Sequence, residues 1–406
     1  MATTRETEGM TPSEKAPAHN NDAGPRKTGL RWQVLTADGL QHIKEHKYKP
    51  GVYTPLDNLL NGTWLRLTEL LPLWLAPNLV TFSGFLPMVV SYVLSWWAQP
   101  DFASPPPRWL ALYCGFSLLL YQTFDAMDGK QARRTNTSSP LGQLFDHGCD
   151  CLACLSHHNM ASLCLLPGPS RTGLMGLVAL QSGFFMAQWQ EYFTGVLNTA
   201  FGPVGVTETQ YGLMAMAFAT AMLGPERAVD IMGSKVHVPW YSEALPVGHV
   251  VCHFWMGFVG VLMMLSLKET LVAAHRLGKL GESISYLLPV VTLNAIALLW
   301  PSDLLAKDAR MVCFVIGILF FYYTAQMITF VMAKMRFPIW QPTLLPLGIL
   351  LGVSHVASAR AATHGGLLIF AGALFIYMLL WLGQLISELK HKLGINVFTI
   401  GQPKAA

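Results

Sequence analysis

Long uninterrupted apolar runs dominate the hydrophobic pattern of this chain. Runs approaching the 20 or so residues that cross a bilayer as a helix recur at 79–99, 108–127, 144–166, 172–196, 209–224, 247–267, 284–301, 311–333, 340–358 and 366–388. They predict an all-α fold: a polytopic membrane helical bundle of about ten transmembrane helices. The fifth and seventh runs are short, so eight or nine crossings stay open. An amphipathic approach segment precedes the first run, at about 51–75. Residues 1 to about 30 are polar and rich in Thr, Glu, Pro, Lys and Asn. They lack the basic-then-apolar pattern of a cleaved signal and are expected to be a disordered cytosolic tail.

Composition agrees with the pattern. Of 406 residues, 52% are hydrophobic and 12% charged, which makes the bilayer the default solvent. A net charge of +4 is too mild to call for nucleic acid, so the basic residues are better read as topology signals. Lys130, Arg133 and Arg134 follow the second run, Lys268, Arg276 and Lys279 the sixth, Lys334 and Arg336 the eighth, and Lys390 and Lys392 the tenth. All four groups fall on one side, which places both termini in the cytosol. The intervening loops carry Arg227, Lys235, Lys307 and Arg310, but acids accompany them. The sequons at Asn61 and Asn136 then lie on the cytosolic side and are expected to stay unglycosylated. Seven cysteines, mostly within apolar runs, do not form a disulfide framework. Cys149, Cys151 and Cys154 lack the second ligand pair of a zinc site.

Chemistry concentrates in one stretch. Asp125-Ala126-Met127-Asp128-Gly129-Lys130-Gln131-Ala132-Arg133 is followed by Gly142, Asp146 and Asp150. On helices, Asp125 and Asp128 share one face, as do Asp146 and Asp150, so two helix ends can aim four carboxylates at one point. One charge at the bilayer centre costs about 2.5–3.5 kcal/mol on insertion scales. Lys130, Arg133 and Arg134 are the only cations close in sequence. Hard divalent ions suit such an oxygen cage, and the reading is one or two Mg²⁺ or Mn²⁺, with two preferred. The bland alternative has the acids capping helices or pairing with Arg133 and Arg134.

The string D-x-x-D-G-x-x-A-R-x8-G-x-x-x-D-x-x-x-D is matched at every fixed position, and on it the chain resembles the CDP-alcohol phosphotransferases (the class-I phosphatidyltransferase family). The flanking Gly129–Asn136 and Ser139–Gly142 resemble its eukaryotic choline and ethanolamine branch. The resemblance implies that Asp125, Asp128, Asp146 and Asp150 hold the metals. It also implies that the loop with Gly129, Ala132, Arg133 and Gly142 admits the nucleotide closely. Small residues clear space there, and Arg133 offers a planar fork for phosphate. Ala76-Pro77-Asn78-Leu79-Val80-Thr81 resembles the family's P-N-x-x-T element, with Asn78 either a helix-start residue or a partner of the CDP group as well. The implied organisation is a disordered tail at 1–45, an amphipathic juxtamembrane segment at 46–78, a catalytic core at 79–224, additional transmembrane helices at 225–390 and a cytosolic tail at 391–406.

The implied reaction moves a phospho-alcohol from a CDP-linked donor to a lipid hydroxyl, releasing CMP. CDP-choline and diacylglycerol are the favoured substrates, with CDP-ethanolamine and ether-linked acceptors open. A base must take the hydroxyl proton. His147, about 100° around the helix from Asp146, is favoured, oriented by Glu208 in a catalytic pair as for eukaryotic relatives. Asp150, the base often assigned in bacterial and archaeal relatives, is the alternative, and His147 could instead bond a ligating carboxylate. Trp189 and Tyr192, flanking Glu191, are candidates to hold choline's quaternary ammonium, or else interfacial aromatics. His157 and His158 read as polar packing. The resemblance brings a homodimer into consideration and points to a multi-pass endomembrane protein of the Golgi or endoplasmic reticulum. A transporter or channel is the competing class. Its acids would recur across spans, whereas here they cluster between two runs and no internal repeat is found.

Overall fold

The structure is a computed structural model that describes residues 33–49, 51–239 and 241–400. Of the tail expected at 1–45, residues 1–32 lie outside the described residues, as do residues 401–406.

Residues 33–45, assigned to that tail, fold onto the bundle. Ala37–Glu45 forms α1, capped by Thr36, whose hydroxyl accepts from the Gly39 N–H. Leu35 and Ile43 are 2% and 0% exposed, and the Glu388 carboxylate accepts the N–H groups of Val34 and Leu35, both at 2.9 Å. Two buried apolar side chains set in a polar stretch were too sparse to register as a run. The approach segment is helical over Pro55–Glu69, α2, where Thr54 and Asp57 form a reciprocal cap. Leu59, Leu65, Leu70, Leu73 and Trp74 are exposed along and after α2, as suits a helix at a membrane surface.

The remaining helices follow: α3 (Pro77–Ala98), α4 (Arg108–Arg134), α5 (Pro140–Leu165), α6 (Arg171–Thr194), α7 (Val206–Leu223), α8 (Pro225–Gly233), α9 (Val247–Arg276), α10 (Leu280–Tyr286), α11 (Leu288–Leu298), α12 (Ser302–Ala333), α13 (Leu344–Ser354) and α14 (Arg360–Leu393). Two antiparallel two-residue ladders, Ala200–Phe201 with Val204–Gly205 and Lys235–Val236 with Leu245–Pro246, tighten connections. The fold is all-α, and each apolar run contains a helix. The number of crossings does not follow from that. Among the described residues, five helical segments are long and apolar enough to cross a membrane: Pro77–Ala98, Val247–Arg276, Leu280–Leu298 (α10 and α11 end to end), Ser302–Ala333 and Arg360–Leu393. The ninth run is helical only over Leu344–Ser354, about 16 Å, short of the ~30 Å hydrocarbon layer.

One helix organises the packing. α12 is 89% buried along its most apolar stretch, against 17% for α9 and 28% for α14, so the others turn their apolar faces outward and α12 takes the centre. A Cβ on Gly317 would lie 2.3 Å from Leu155 Cδ2, so glycine there lets α12 and α5 touch. Close contact of this kind drives helix association in lipid, where apolar burial alone gives no gain. A second core joins α3, α4, α5 and α7 through Met88, Leu118, Tyr121, Leu163 and Met214. At one end of the bundle, α1 and α2 gather the ends of α4, α12 and α14 and the starts of α3, α5 and α7. The bonds are Arg134 to Leu71, His46 to Gln143, Leu56 to Glu208 and Asn78 to Val397. The acid cluster and the basic loop groups near residues 130, 334 and 390 lie at this end.

Candidate active site

The last three turns of α4 and the first three of α5 carry the four aspartates. Carboxylate oxygens of Asp125, Asp128 and Asp146 all lie within 4.8 Å of one another. Asp150 joins them through Asp125, within side-chain hydrogen-bonding reach. Two hydroxyls hold the acids in place: Thr81 on α3 donates to Asp128, and Tyr121, one turn before Asp125, donates to Asp150. The crossing that delivers Thr81 is tight. A Cβ at Gly84 would lie 2.8 Å from Phe124 Cβ and 3.3 Å from Tyr121 Cα.

The acids are not paired with the nearby cations. Among the described residues, no Lys or Arg makes an ion pair with any of the four. Lys130 donates to the Ala126 carbonyl at 2.9 Å and sits 5.1 Å over the Trp64 ring and 5.9 Å over that of Tyr53. Arg134 caps the C-terminus of α2, donating to the carbonyls of Thr68, Glu69 and Leu71. The bland reading of acids pairing with loop arginines therefore does not describe this site. Asp146 Oδ1 is buried without a hydrogen-bond partner. Uncompensated, all-oxygen and partly orphaned, the cluster fits a hard divalent cation.

Around the acids, the end of α4, the first turn of α5 and the start of α3 meet; Gly129, Ala132 and Arg133 lie on α4 and Gly142 on α5, not on the loop expected to carry them, because both helices run on to the turn at 135–139. Gly142, whose N–H donates to the Ser139 hydroxyl, would place a Cβ 3.5 Å from Asn78 Oδ1. Asn78 Nδ2 donates to the Val397 carbonyl at 2.9 Å. Gly129 has only the Arg133 guanidinium, at 3.6 Å, near its Cβ position. The Ala132 carbonyl accepts from Thr137, and Arg133 is exposed. Phe398 packs on Phe82 and Phe145 at 5.8 and 5.5 Å between ring centroids. The stretch after α14 thus covers this side.

His147 is buried beside the acids, its Nε2 3.9 Å from Asp146 Oδ2 and its Nδ1 without a partner. Glu208 makes no hydrogen bond or ion pair with it among the described residues. Its two carboxylate oxygens accept the backbone N–H groups of Leu56 and Gly205, because an acid in the third position of α7 is drawn to the helix's own orphan donors. The neighbour of His147 is instead Tyr48, at 5.5 Å between centroids in an edge arrangement. Partial burial, then the carboxylates of Asp146, Glu191, Asp150 and Asp125, push the Tyr48 phenol above its ordinary value. Trp189 and Tyr192 are committed elsewhere. The Trp189 indole, 0% exposed, donates to the Ser283 carbonyl and Tyr192 donates to that of Met335, with Phe193 and Tyr286 packed between. His158 bonds the Gly173 carbonyl and His157 faces Gln210, the packing role expected of them. All seven cysteines are buried, free thiols.

Three residues were missed from the sequence. Tyr121 had a signal, its spacing of one turn from Asp125. Thr81 had one too, as the end of the P-N-x-x-T element. Tyr48 had none, since it reaches the site by tertiary folding from about 100 positions away.

Residues 74–223 match the family model described as CDP-alcohol phosphatidyltransferase. Choline/ethanolaminephosphotransferase 2 of Arabidopsis thaliana is 35% identical over 311 residues, covering 72% of this chain and 77% of the relative. Ethanolaminephosphotransferase 1 of Mus musculus is 28% identical over 92% of this chain and 96% of its own length. Cholinephosphotransferase 1 of Xenopus laevis is 39% identical over 48% of each.

Proposed function

We propose, because this chain belongs to the CDP-alcohol phosphatidyltransferase family and is a multi-pass membrane enzyme of choline/ethanolamine phosphotransferase type, that it transfers phosphocholine from CDP-choline to the hydroxyl of diacylglycerol, yielding phosphatidylcholine and CMP. An alkyl-acylglycerol is an equivalent acceptor at this site. The observation that carries the reading is the convergence of Asp125, Asp128 and Asp146 from two helix ends, with Asp150 beside Asp125 and, among the described residues, no Lys or Arg ion-paired to any of them.

Asp125, Asp128, Asp146 and Asp150 would hold one or two Mg²⁺ or Mn²⁺, which when bound supply Lewis-acid stabilisation of charge on the pyrophosphate. The rest is the work of the chain. Gly129 and Ala132 on α4 and Gly142 on α5 keep the facing helix ends clear for the nucleotide, Asn78 offers an amide at their edge, and Arg133, exposed and with no carboxylate ion-paired to it among the described residues, is free to meet a phosphate. His147 takes the acceptor's proton at a ring nitrogen. Its unpartnered Nδ1 and its place beside Asp146 favour it over Asp150, whose Oδ1 already accepts from Tyr121. Glu208, as the cap that ties α7 to α2, positions the floor of the site. We place the enzyme in the Golgi or endoplasmic reticulum with both termini and the acid cluster facing the cytosol, where CDP-alcohols reach it.

Purified in detergent and given diacylglycerol, the protein is expected to form phosphatidylcholine from CDP-choline with Mg²⁺ or Mn²⁺, and to turn over CDP-ethanolamine less efficiently. Undiminished product after exhaustive chelation overturns the site assignment. A preference for CDP-ethanolamine overturns the choline assignment alone.

A further inference from the structure

The stretch after α14 touches the site at three points that the reaction as derived leaves unused. Gly394, at φ 66°, ends α14 in the left-handed conformation, and beyond it Ile395 and Val397 pack on the larger core. The Val397 carbonyl accepts from Asn78 Nδ2 at 2.9 Å. Phe398, still 44% exposed, sets its ring 5.8 Å from that of Phe82 on α3 and 5.5 Å from that of Phe145 on α5, the second in an edge arrangement.

Each contact falls on or beside a residue of the site. Phe82 follows Thr81, which donates to Asp128, and Phe145 precedes Asp146. Asn78 stands where α3 meets α5, since a Cβ on Gly142 would come to 3.5 Å from its Oδ1. A carbonyl oxygen can accept only from the nitrogen of an amide, so Val397 fixes which way Asn78 faces and leaves Oδ1 turned to the first turn of α5. Across the same corner, both ring separations of Phe398 lie in the range of about 4.5–7 Å at which aromatic pairs attract. One side chain thus braces α3 against α5. Val397 and Phe398 lie outside residues 74–223, which match the family model, so the brace comes from a part of the chain beyond that core.

We propose that Val397 and Phe398 are positioning residues for the nucleotide half of the donor, holding Asn78 and the α3–α5 corner in the arrangement that receives it, a role that rests on the transferase reading. They act through Asn78, Phe82 and Phe145, and neither makes or breaks a bond. Coupling of this kind is reciprocal: a stretch that helps the nucleotide bind is itself steadied when the nucleotide is bound.

In the full-length protein, Phe398→Ala should raise the KM for CDP-choline about fivefold or more, the scale of two lost aromatic pairs, while the KM for diacylglycerol stays unchanged. Phe398→Tyr keeps the ring and should restore the donor KM. A merely structural role would lower the unfolding temperature without separating the two KM values. The wild-type chain gives a second readout: backbone amide exchange across residues 395–400 should slow when CMP and Mg²⁺ are added together, and not when diacylglycerol is. An unmoved donor KM in an active Phe398→Ala enzyme, or exchange indifferent to CMP with Mg²⁺, overturns the positioning role alone. If Phe398→Ala does not fold, the exchange measurement decides. Failure of the wild-type chain to consume any CDP-alcohol overturns the transferase reading, and the positioning role with it.

Discussion

Gly84 is where a single methyl group should be felt most. On Gly84→Ala the new Cβ would lie 2.8 Å from Phe124 Cβ and 3.3 Å from Tyr121 Cα. Carbon atoms rest at about 3.5–4.0 Å, so α3 and α4 must part by about 1 Å. Neither obstacle is the end of a mobile side chain, which leaves helix displacement as the relief. Overpacking of this kind costs roughly 1–3 kcal/mol. Thr81, one turn away, would be drawn off Asp128, and a 1 Å error at a reacting site costs about 10²-fold in rate. The expected result is a fall in kcat of that order, with a lower unfolding temperature in detergent. Gly62→Ala on α2, with nothing within 4 Å, is the control and should be neutral or slightly stabilising. A Gly84→Ala enzyme within twofold of wild-type kcat would refute the claim that this crossing sets the acids.

Asp146→Asn removes a charge from the cluster and should lower kcat by about two to three decades, since a bound metal contributes several kcal/mol. Its rate should need more Mg²⁺ to reach its maximum, read by titration against wild type. Arg134→Ala deletes the cap of α2 and its bonds to three carbonyls. A loss of about 1–2 kcal/mol is expected, seen as a lower midpoint in thermal unfolding. His46 links stability to pH. Burial holds its imidazole below the ordinary 6.5, against the Gln143 hydrogen bond and with help from the Lys334 charge. The unfolded chain therefore takes up a proton first as pH falls, so this contribution is whole above 6.5 and is lost as pH drops through the folded value. Lowering the pH from about 7.5 to 5 should cost wild type more unfolding temperature than His46→Gln.

Much of this architecture was legible because lipid imposes a long, crude pattern: each apolar run contains a helix. The acid cluster was legible because its spacing is local, set by the pitch of α4 and α5. What escaped the sequence is what distant segments decide. Tyr48 reaches His147 across the fold, and Glu208 was drawn to cap α7 instead of orienting His147. The Trp189 indole is held by a hydrogen bond to Ser283, on a segment with no visible tie to it in the sequence. α13 shows the other limit, since hydropathy registers composition and Leu344–Ser354 stops after 11 residues.

The bond from Asn78 to Val397 joins groups 319 positions apart, and Glu388 reaches back 354 positions to Val34. A ribosome threading this chain into a membrane therefore releases the motif-bearing helices long before the stretch that lies across them is made. The clustered acids are therefore synthesised before the residues that bond across them.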